Sequence, residues 1–257
     1  HNILFGAHRG GRLWRPESTL KSFQEAAETW PDIMLEGDVH LTKDGVPVLL
    51  HDATVDRTTN GTGPLSEMTL EEAKQLVAGY KFTRDNGQTY PYRGQGYTLS
   101  TLREVLEALP NHRFMIEMKD QEGIAAPTVK VIQETGAVDR VALASFNAKL
   151  MDEAKALEPR IASCYSANTL LRLSSALRTD RWDTYTPEDD ILVMNYHNLA
   201  RYRITEADFP RIQAKGIRIC LYNINKPEEI NALIDLGVDS MLTDVPDIFA
   251  QVLATKN

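Results

Sequence analysis

The sequence predicts an α/β protein of the TIM-barrel class, a (β/α)8 barrel with a small subdomain inserted after the second strand. Short apolar runs alternate with amphipathic patterns almost to the end of the chain, which favours a parallel sheet with crossover helices. Eight such units in 257 residues favour a closed barrel over an open doubly wound sheet. No G-x-G-x-x-G pattern follows the first run, which further disfavours the open sheet.

Apolar runs of strand length are the predicted barrel strands, at residues 3–7, 33–41, 114–118, 141–145, 161–165, 191–196, 217–222 and 240–242. Helical periodicity predicts helices between them, at residues 19–28, 101–109, 125–134, 148–157, 207–215 and 227–236. Boundary signals support these assignments. Glu104 is spaced for a capping box on Ser100 or Thr101, Pro227 opens a helix, and Gly237 closes it.

One segment, about residues 43–98, breaks the alternation. It contains a hairpin-like piece at residues 45–50, turns rich in Gly, Thr and Asn, and a short helical stretch at residues 69–78. It is too long for an ordinary loop between a strand and a helix, and it follows the second strand on the face where barrels carry their active sites. No second boundary is visible, so residues 1–257 are predicted to form a single domain.

The composition is that of an ordinary globular protein, with 42% hydrophobic and 25% charged residues. No apolar run is long enough to span a membrane, and a net charge of −8 disfavours nucleic acid as a partner. Cys164 and Cys220 match no metal or disulfide pattern and are interpreted as buried thiols. The chain begins with His1 rather than Met, which favours a trimmed, periplasmic or secreted protein over a cytoplasmic one.

Three carboxylates occur where two predicted strands end. Glu36 and Asp38 are two residues apart on the second strand, so they share one face, and Glu117 and Lys119 repeat this spacing on the third barrel strand. Carboxylates that converge inside a barrel repel one another unless a cation joins them. The pattern favours an oxygen-rich site for Mg²⁺ or Ca²⁺ over three separate salt bridges.

Two histidines and two cations lie at the same predicted strand ends. His8 ends the first strand, His51 follows the apolar run 48–50, and a pair of histidines so placed suits general acid and general base catalysis. Either alone would more often be structural. Arg9 offers a planar fork to a phosphate group and Lys119 a compact charge. Glu17 either orients Arg9 or a metal ligand from behind, or faces a helix N-terminus.

These residues belong to motifs that resemble the glycerophosphodiester phosphodiesterase family. The N-terminal motifs are specific because they occur together within about fifty residues, and they are His8-Arg9-Gly10, Pro16-Glu17-Ser18-Thr19, Glu36-Gly37-Asp38-Val39, Thr42-Lys43-Asp44-Gly45, His51-Asp52 and Asp56-Arg57-Thr58-Thr59. Weaker similarity continues through Ile116-Glu117-Met118-Lys119, Tyr222-Asn223-Ile224-Asn225, Gly237-Val238-Asp239 and Thr243-Asp244-Val245-Pro246. The sequence departs from the family pattern where Ser18 replaces the usual Asn and Tyr222 the usual Trp.

The resemblance implies a barrel with an insertion after strand two and one divalent cation held by Glu36, Asp38 and Glu117. It implies acid–base roles for His8 and His51.

It further implies phosphate contacts for Arg9 and Lys119, with Glu17 as an additional candidate. The implied reaction is hydrolysis of a glycerophosphodiester, a small molecule, to sn-glycerol 3-phosphate and an alcohol. Two alternatives stay open, namely phospholipase D-like cleavage of lysophospholipids on the same fold and a barrel that binds glycerophosphate without turnover. The head group, the choice between Mg²⁺ and Ca²⁺ and the oligomeric state do not follow from the sequence.

Overall fold

Eight parallel strands surround a common axis in the computed structural model, which describes residues 3–255. The strands are β1 Leu4–Ala7, β2 Met34–Leu41, β3 Pro47–Leu49, β4 Phe114–Met118, β5 Val141–Ala144, β6 Ala162–Ser163, β7 Ile191–Asn195, β8 Arg218–Tyr222 and β9 Ser240–Thr243, where β3 is an antiparallel addition to β2. Their order is β6-β5-β4-β2-β1-β9-β8-β7. A single parallel bridge between Cys164 and Ile191 joins the two ends, so the predicted barrel, nearly closed, is confirmed.

Helices follow the strands on the outside of the barrel. They are α1 Leu20–Thr29, α2 Leu70–Lys74, α3 Leu102–Ala108, α4 Ala125–Glu134, α5 Ala148–Leu157, α6 Ala167–Leu177, α7 Phe209–Gln213, α8 Pro227–Leu236 and α9 Pro246–Ala254. The bounds of α4, α5 and α8 equal the predicted ones, whereas α6 and α9 lie outside the helices that the sequence pattern named. In residues 3–255, no helix combines the length and the apolarity that crossing a membrane requires.

The boundary signals work as predicted. Thr101 accepts a hydrogen bond from the backbone N–H of Glu104, whose carboxylate accepts one from the backbone N–H of Thr101. Pro227 is the first residue of α8, and Gly237 ends it in the left-handed conformation, with φ of 77°. The expectation drawn from His1 concerns a residue outside the described range.

Apolar side chains fill the inside of the barrel and set which strand faces point inward. Met34 and Met115 pack there with Cys164, Cys220 and other side chains. Gly6 leaves them room, because a Cβ at this position would lie 2.6 Å from Leu242 Cδ2. Both cysteines are buried and unpaired, which confirms their reading as structural thiols.

The strand parity then places the charged residues. Because alternate residues share a face, Glu36 and Asp38 follow Met34 into the barrel, and Glu117 and Lys119 follow Met115. All four therefore lie above the apolar filling, towards the carboxyl ends of the strands, where barrels hold their active sites.

Residues 43–98 cover one side of this end. β3 pairs with β2 through Val39 and Leu49, and a small apolar cluster of its own, which includes Val55, Leu65 and Ala73, holds the following turns and α2 together. The segment thereby fixes the position of the residues that directly follow β3. Its status as a separate subdomain and the single domain over residues 1–257 both stay predictions.

Candidate active site at the carboxyl end of the barrel

A cavity of about 310 Å³ opens between the carboxyl ends of the strands. Predicted site residues line one side of it, namely His8, Arg9, Glu36, Asp38, His51, Glu117 and Lys119. Glu17 is not among the lining residues and lies behind Arg9, whose guanidinium Nη1 is 3.5 Å from Glu17 Oε1. The fold therefore brings seven of the eight predicted residues to one cavity.

The three carboxylates lie on adjacent strands. Asp38 on β2 is the register partner of Glu117 on β4. Glu36 lies two residues before Asp38 on β2 and therefore on the same face of the strand. Burial together with the charge of Asp38 raises the pKa of Glu36 to about 7. The Lys119 ammonium bridges the other two carboxylates, with Nζ 2.7 Å from Asp38 Oδ1 and 2.8 Å from Glu117 Oε1.

Lys119 is held in its charged form by this arrangement. Burial of its side chain lowers its pKa, but the charges of Asp38 and Glu117 outweigh burial, and the net shift is upward. The Lys119 ammonium thus supplies the positive charge that Asp38 and Glu117 need when no ligand is bound. The same requirement explains why these residue types occur together at the strand ends.

Arg9 contributes both its backbone and its side chain. Its backbone is in the left-handed conformation, with φ of 53°, and its N–H donates to Glu36 Oε2 at 2.8 Å. The guanidinium Nε is 3.5 Å from Asp38 Oδ2, and both of these atoms are buried without a hydrogen-bond partner. These two atoms form an ion pair at the side of the cavity that Arg9 and Asp38 line, and each keeps an unused hydrogen-bonding capacity.

His8 is buried between two acidic side chains. Its Nδ1 is 2.7 Å from Asp244 Oδ1, and its Nε2 is 3.9 Å from Glu36 Oε2. Burial lowers the pKa of His8, but the charge of Glu36 and the hydrogen bond to Asp244 outweigh it, so the net shift is upward. Because ionised Asp244 only accepts hydrogen bonds, His8 carries a proton on Nδ1, and Nε2 is the ring nitrogen that Asp244 does not bind.

Asp244 comes from the loop after the last strand and was not among the predicted site residues. It accepts hydrogen bonds from Arg12 Nε and Asn225 Nδ2, both at 2.8 Å, in addition to the contact with His8. Burial raises the pKa of Asp244, but the hydrogen bonds and charges of His8 and Arg12 outweigh it and lower the pKa to about 2. Its motif was visible in the sequence, but a contact across 236 residues has no local signal.

His51 is held in a similar way by its neighbour in the chain. His51 Nδ1 is 2.7 Å from Asp52 Oδ1, and about a third of each side chain is exposed. Partial burial raises the pKa of Asp52, but hydrogen bonds with Arg57 and His51 lower it to a net value of about 2. Asp52 and Arg57 were also absent from the predicted site, although both lie in recognised motifs.

Uncharged side chains form the other side of the cavity. The lining residues after β4 and Lys119 include Phe146, Tyr165, Asn195, Tyr222 and Asn223, and none of the lining residues from there to the end of the described chain carries a formal charge. Phe146 is exposed over 58% of its surface. The cavity thus divides into a charged side from the first half of the chain and an uncharged side from the second half.

The two departures from the family pattern have different consequences. Ser18 is buried in the left-handed conformation, with φ of 57°, and its Oγ has no hydrogen-bond partner. An Asn tolerates this conformation better than a Ser does, so the departure costs local strain. Tyr222 belongs to the cavity wall, with its ring centroid 5.9 Å from that of His8.

Comparison with known proteins identifies the family to which the chain is similar. A model of the glycerophosphoryl diester phosphodiesterase family matches residues 8–248. A glycerophosphodiester phosphodiesterase from Caldanaerobacter subterraneus subsp. tengcongensis is 31% identical over 249 residues, which cover 94% of this chain and 93% of that protein.

Solved structures share the fold over nearly the whole chain. An Oleispira antarctica phosphodiesterase, solved in complex with the product sn-glycerol-3-phosphate, is 28% identical, with a TM-score of 0.79 over 98% of this chain and 96% of that chain. A glycerophosphoryl diester phosphodiesterase domain from Mycobacterium tuberculosis, 19% identical, reaches a TM-score of 0.82 over 99% of this chain and all of that chain. With residues 8–248 matched by the family model, the chain belongs to the glycerophosphoryl diester phosphodiesterase family.

Proposed function

We propose that this chain is a glycerophosphodiester phosphodiesterase that uses a divalent cation and two histidines to release sn-glycerol 3-phosphate and an alcohol. One observation carries the proposal: two histidines, each with an aspartate on Nδ1, line a single cavity together with three carboxylates and two cationic side chains. Family membership supports the reaction class. The product bound to the Oleispira antarctica relative supports sn-glycerol 3-phosphate as the common product.

The phosphate group is assigned to Arg9 and Lys119. Both line the cavity, and both have acidic partners that keep their cationic groups near its charged side. A guanidinium fork and an ammonium together offset the charge that develops on phosphate oxygens in the transition state. Arg9 and Lys119 thereby orient the diester between the two histidines.

The proton transfers are assigned to His8 and His51. In each, an aspartate fixes the proton on Nδ1, which leaves Nε2 for exchange with the substrate. One histidine takes the proton from the nucleophile, either water or the neighbouring glycerol hydroxyl, as the new P–O bond forms; the hydroxyl route gives a cyclic phosphate, which water opens in a second step to sn-glycerol 3-phosphate. The other gives a proton to the alcohol oxygen as the old P–O bond breaks. The upward pKa shift of His8 suits it to the donor role at neutral pH.

A divalent cation is assigned to Glu36, Asp38 and Glu117 because their chemistry fits one. All three offer carboxylate oxygens, the ligands that Mg²⁺ and Ca²⁺ prefer, and Asp38 Oδ2 is buried without a hydrogen-bond partner. The raised pKa of Glu36 reflects carboxylates in need of more positive charge. When bound, such a cation would polarise the phosphate and offset its charge.

The spacing of these groups sets a condition on the proposal. Among the described residues 3–255, no three His, Cys, Asp or Glu side chains stand as a formed metal site, and the Lys119 ammonium lies between Asp38 and Glu117. Lys119 must therefore share these carboxylates with the cation or turn towards the phosphate. Its long side chain permits such a movement without a change of backbone.

The test is a metal titration of hydrolysis with identification of the products. The purified chain, stripped with EDTA, should be inactive on glycerophosphocholine and should regain activity with Mg²⁺ or Ca²⁺, releasing sn-glycerol 3-phosphate and choline. Asp38→Asn should abolish the metal response, whereas Asp139→Asn, the same change at an exposed residue that does not line the cavity, serves as a control. Full activity in EDTA would contradict the role of the metal.

Substrate class is tested in the same assay. Lysophosphatidylcholine, offered at equal concentration, should be cleaved more slowly, since the apolar residues of the segment 43–98 form their own small cluster and offer no long groove to an acyl chain. Faster cleavage of the lysophospholipid would favour the phospholipase D-like alternative. Absence of hydrolysis across a panel of glycerophosphodiesters with either metal would favour a barrel that only binds.

A further inference from the structure

Arg57, in the turn after β3, bridges the carboxylates of Glu17 and Asp52, neither of which lines the cavity. Its Nη1 and Nη2 donate to the two oxygens of Glu17 at 2.8 Å and 2.7 Å. Its Nε donates to Asp52 Oδ2 at 2.6 Å, and Nη2 also reaches Asp52 Oδ1 at 3.3 Å. One guanidinium therefore holds both carboxylates in fixed orientations.

Each of these carboxylates contacts a residue assigned to catalysis. Asp52 accepts the hydrogen bond from His51 Nδ1 at 2.7 Å, and Glu17 Oε1 lies 3.5 Å from Arg9 Nη1. A continuous chain of charged groups thus runs from His51 through Asp52, Arg57 and Glu17 to Arg9. It connects the segment that carries His51 with the loop after β1 that carries Arg9.

We propose that Arg57 is a positioning residue for the reaction, which acts on His51 through Asp52 and on Arg9 through Glu17. The proposal rests on the acid–base role given to His51 above. Arg57 does not line the cavity, so its effect must pass through these two carboxylates. By holding Asp52, it keeps the His51 ring in one orientation and one tautomer. By holding Glu17, it limits the positions that the Arg9 guanidinium can take.

The chemistry of the side chain explains why an arginine is required here. Planar forks can donate to two carboxylates at once with fixed angles, whereas an ammonium supplies a charge without this geometry. An exposed ion pair contributes little stability in general. Arg57 is 45% exposed but bidentate to Glu17, which is 11% exposed, so it also contributes to stability, and its test needs a readout that stability alone does not change.

A matched control exists in the same chain. Arg103 on α3 also joins two carboxylates, those of Glu107 and Glu134, and 41% of its side chain is exposed. It does not line the cavity and contacts no residue of the proposed mechanism. Arg57 and Arg103 thus share their chemistry and exposure, but their partners differ: Glu17 is 11% exposed and Asp52 contacts His51, whereas Glu107 and Glu134 are 57% and 44% exposed.

The kinetic experiment compares Arg57→Met, Arg57→Lys and Arg103→Met in the full-length chain with glycerophosphocholine and saturating metal. Arg57→Met should lower kcat about 10- to 100-fold with KM changed by less than about threefold, as is typical when the orienting partner of a site residue is lost. Arg57→Lys should recover only part of kcat. Arg103→Met should keep kcat within about twofold. Arg57→Met should melt at a lower temperature than Arg103→Met because it leaves the mostly buried Glu17 without its main partner, so kinetics are measured well below both melting temperatures.

A second readout does not depend on activity. Nitrogen-15 NMR of the histidine rings reports whether Nδ1 or Nε2 carries the proton. His51 should carry it on Nδ1 in the parent chain and in Arg103→Met, and should become a mixture of tautomers in Arg57→Met and Asp52→Asn. In the double variant Arg57→Met with Asp52→Asn, the kinetic losses should multiply only in part, because both changes act on the His51 ring and only Arg57→Met also acts through Glu17.

Two outcomes would overturn the proposal. One is a kcat for Arg57→Met within about twofold of the parent chain, with the His51 tautomer unchanged. The other is a pair of losses, for Arg57→Met and Asp52→Asn, that multiply in full in the double variant. Failure of the proposed function would look different, since the parent chain would then be inactive while the NMR comparison still reported on Arg57.

Discussion

His8 and His51 face one cavity from two regions of the molecule that hold them differently. His8, in the loop after β1, is 7% exposed, and its aspartate comes from the loop after β9 at the other end of the chain. His51, after β3, is about one-third exposed, and its aspartate is the next residue. The same pair of groups is thus built once by tertiary folding and once by local sequence.

The difference shows that the two aspartates should contribute differently to the stability of the fold. Asp244 is fully buried and has three side-chain partners, namely His8, Arg12 and Asn225, so removing its charge disturbs the closing of the barrel as well as His8. Asp52 is in contact with water and belongs to an exposed network, where charge interactions are screened. Equal catalytic roles should therefore come with unequal effects on stability.

The largest effects are expected from loss of either ring. His8→Ala and His51→Ala should each lower kcat by about 10²-fold to 10⁴-fold, because each removes one proton-transfer group. Steady-state kinetics with glycerophosphocholine and circular dichroism at the working temperature provide the measurement. Near-normal turnover of both folded variants would remove the acid–base assignment.

Loss of the aspartates should separate the two regions. Asp244→Asn should lower kcat more than 100-fold and the free energy of unfolding by about 3 kcal/mol, because a buried, fully paired carboxylate is lost. Asp52→Asn should lower kcat about 10- to 100-fold but change stability by less than about 1 kcal/mol. Urea denaturation beside kinetics measures both quantities. Equal stability losses would contradict the comparison.

The dependence of stability on acidic pH should also differ between Asp244 and Asp52. The pKa of Asp244 is lowered from 3.8 to about 2, so its stabilising contribution is complete above about pH 4 and is lost as the pH falls towards 2. That contribution is about 2 kcal/mol for a buried group. Asp244→Asn should therefore flatten the fall in stability between pH 4 and pH 2. Asp52→Asn should flatten it less, because water screens Asp52. Denaturation midpoints across this range are the measurement.

The smallest effect is expected at the edge of the buried region. Arg12 donates to Asp244 at 2.8 Å, but a third of its side chain is exposed, and His8 and Asn225 still hold the carboxylate when it is replaced. Arg12→Met should lower stability by about 1 kcal/mol and kcat by less than about fivefold. If Arg12→Met lowered stability and kcat as much as Asp244→Asn does, then the ion pair between Arg12 and Asp244 would be more important than the contact between Asp244 and His8.

Local patterns were sufficient wherever the signal lies within one element. The alternation of side chains on β2 and β4 predicted that Glu36, Asp38, Glu117 and Lys119 share one end of the barrel, and the structure places all four at one cavity. Caps such as Thr101 were predicted for the same reason, because the interacting groups are three residues apart. The strand predicted at residues 161–165 is longer than β6, which spans Ala162–Ser163, although Cys164 still forms a bridge with Ile191.

Contacts between distant segments were beyond the sequence pattern. Nothing near His8 indicates that Asp244 orients it, and nothing near Glu17 indicates that Arg57, forty residues later, occupies both of its oxygens. The phosphate-contact prediction for Glu17 stays untested, and the geometry places this residue behind Arg9 instead. Family resemblance supplied the motifs that contain these residues but not their pairings.

The sequence by itself determined the barrel, the inward face of each strand and the residue types that collect at its carboxyl end. Periodicity and strand parity are properties of neighbouring residues, so they can be read without a structure. Only the tertiary structure decided which aspartate holds His8 and which arginine joins Asp52 to Glu17. Closing the barrel brings β9 beside β1, and hydrogen bonds between side chains depend on that distance rather than on separation along the chain.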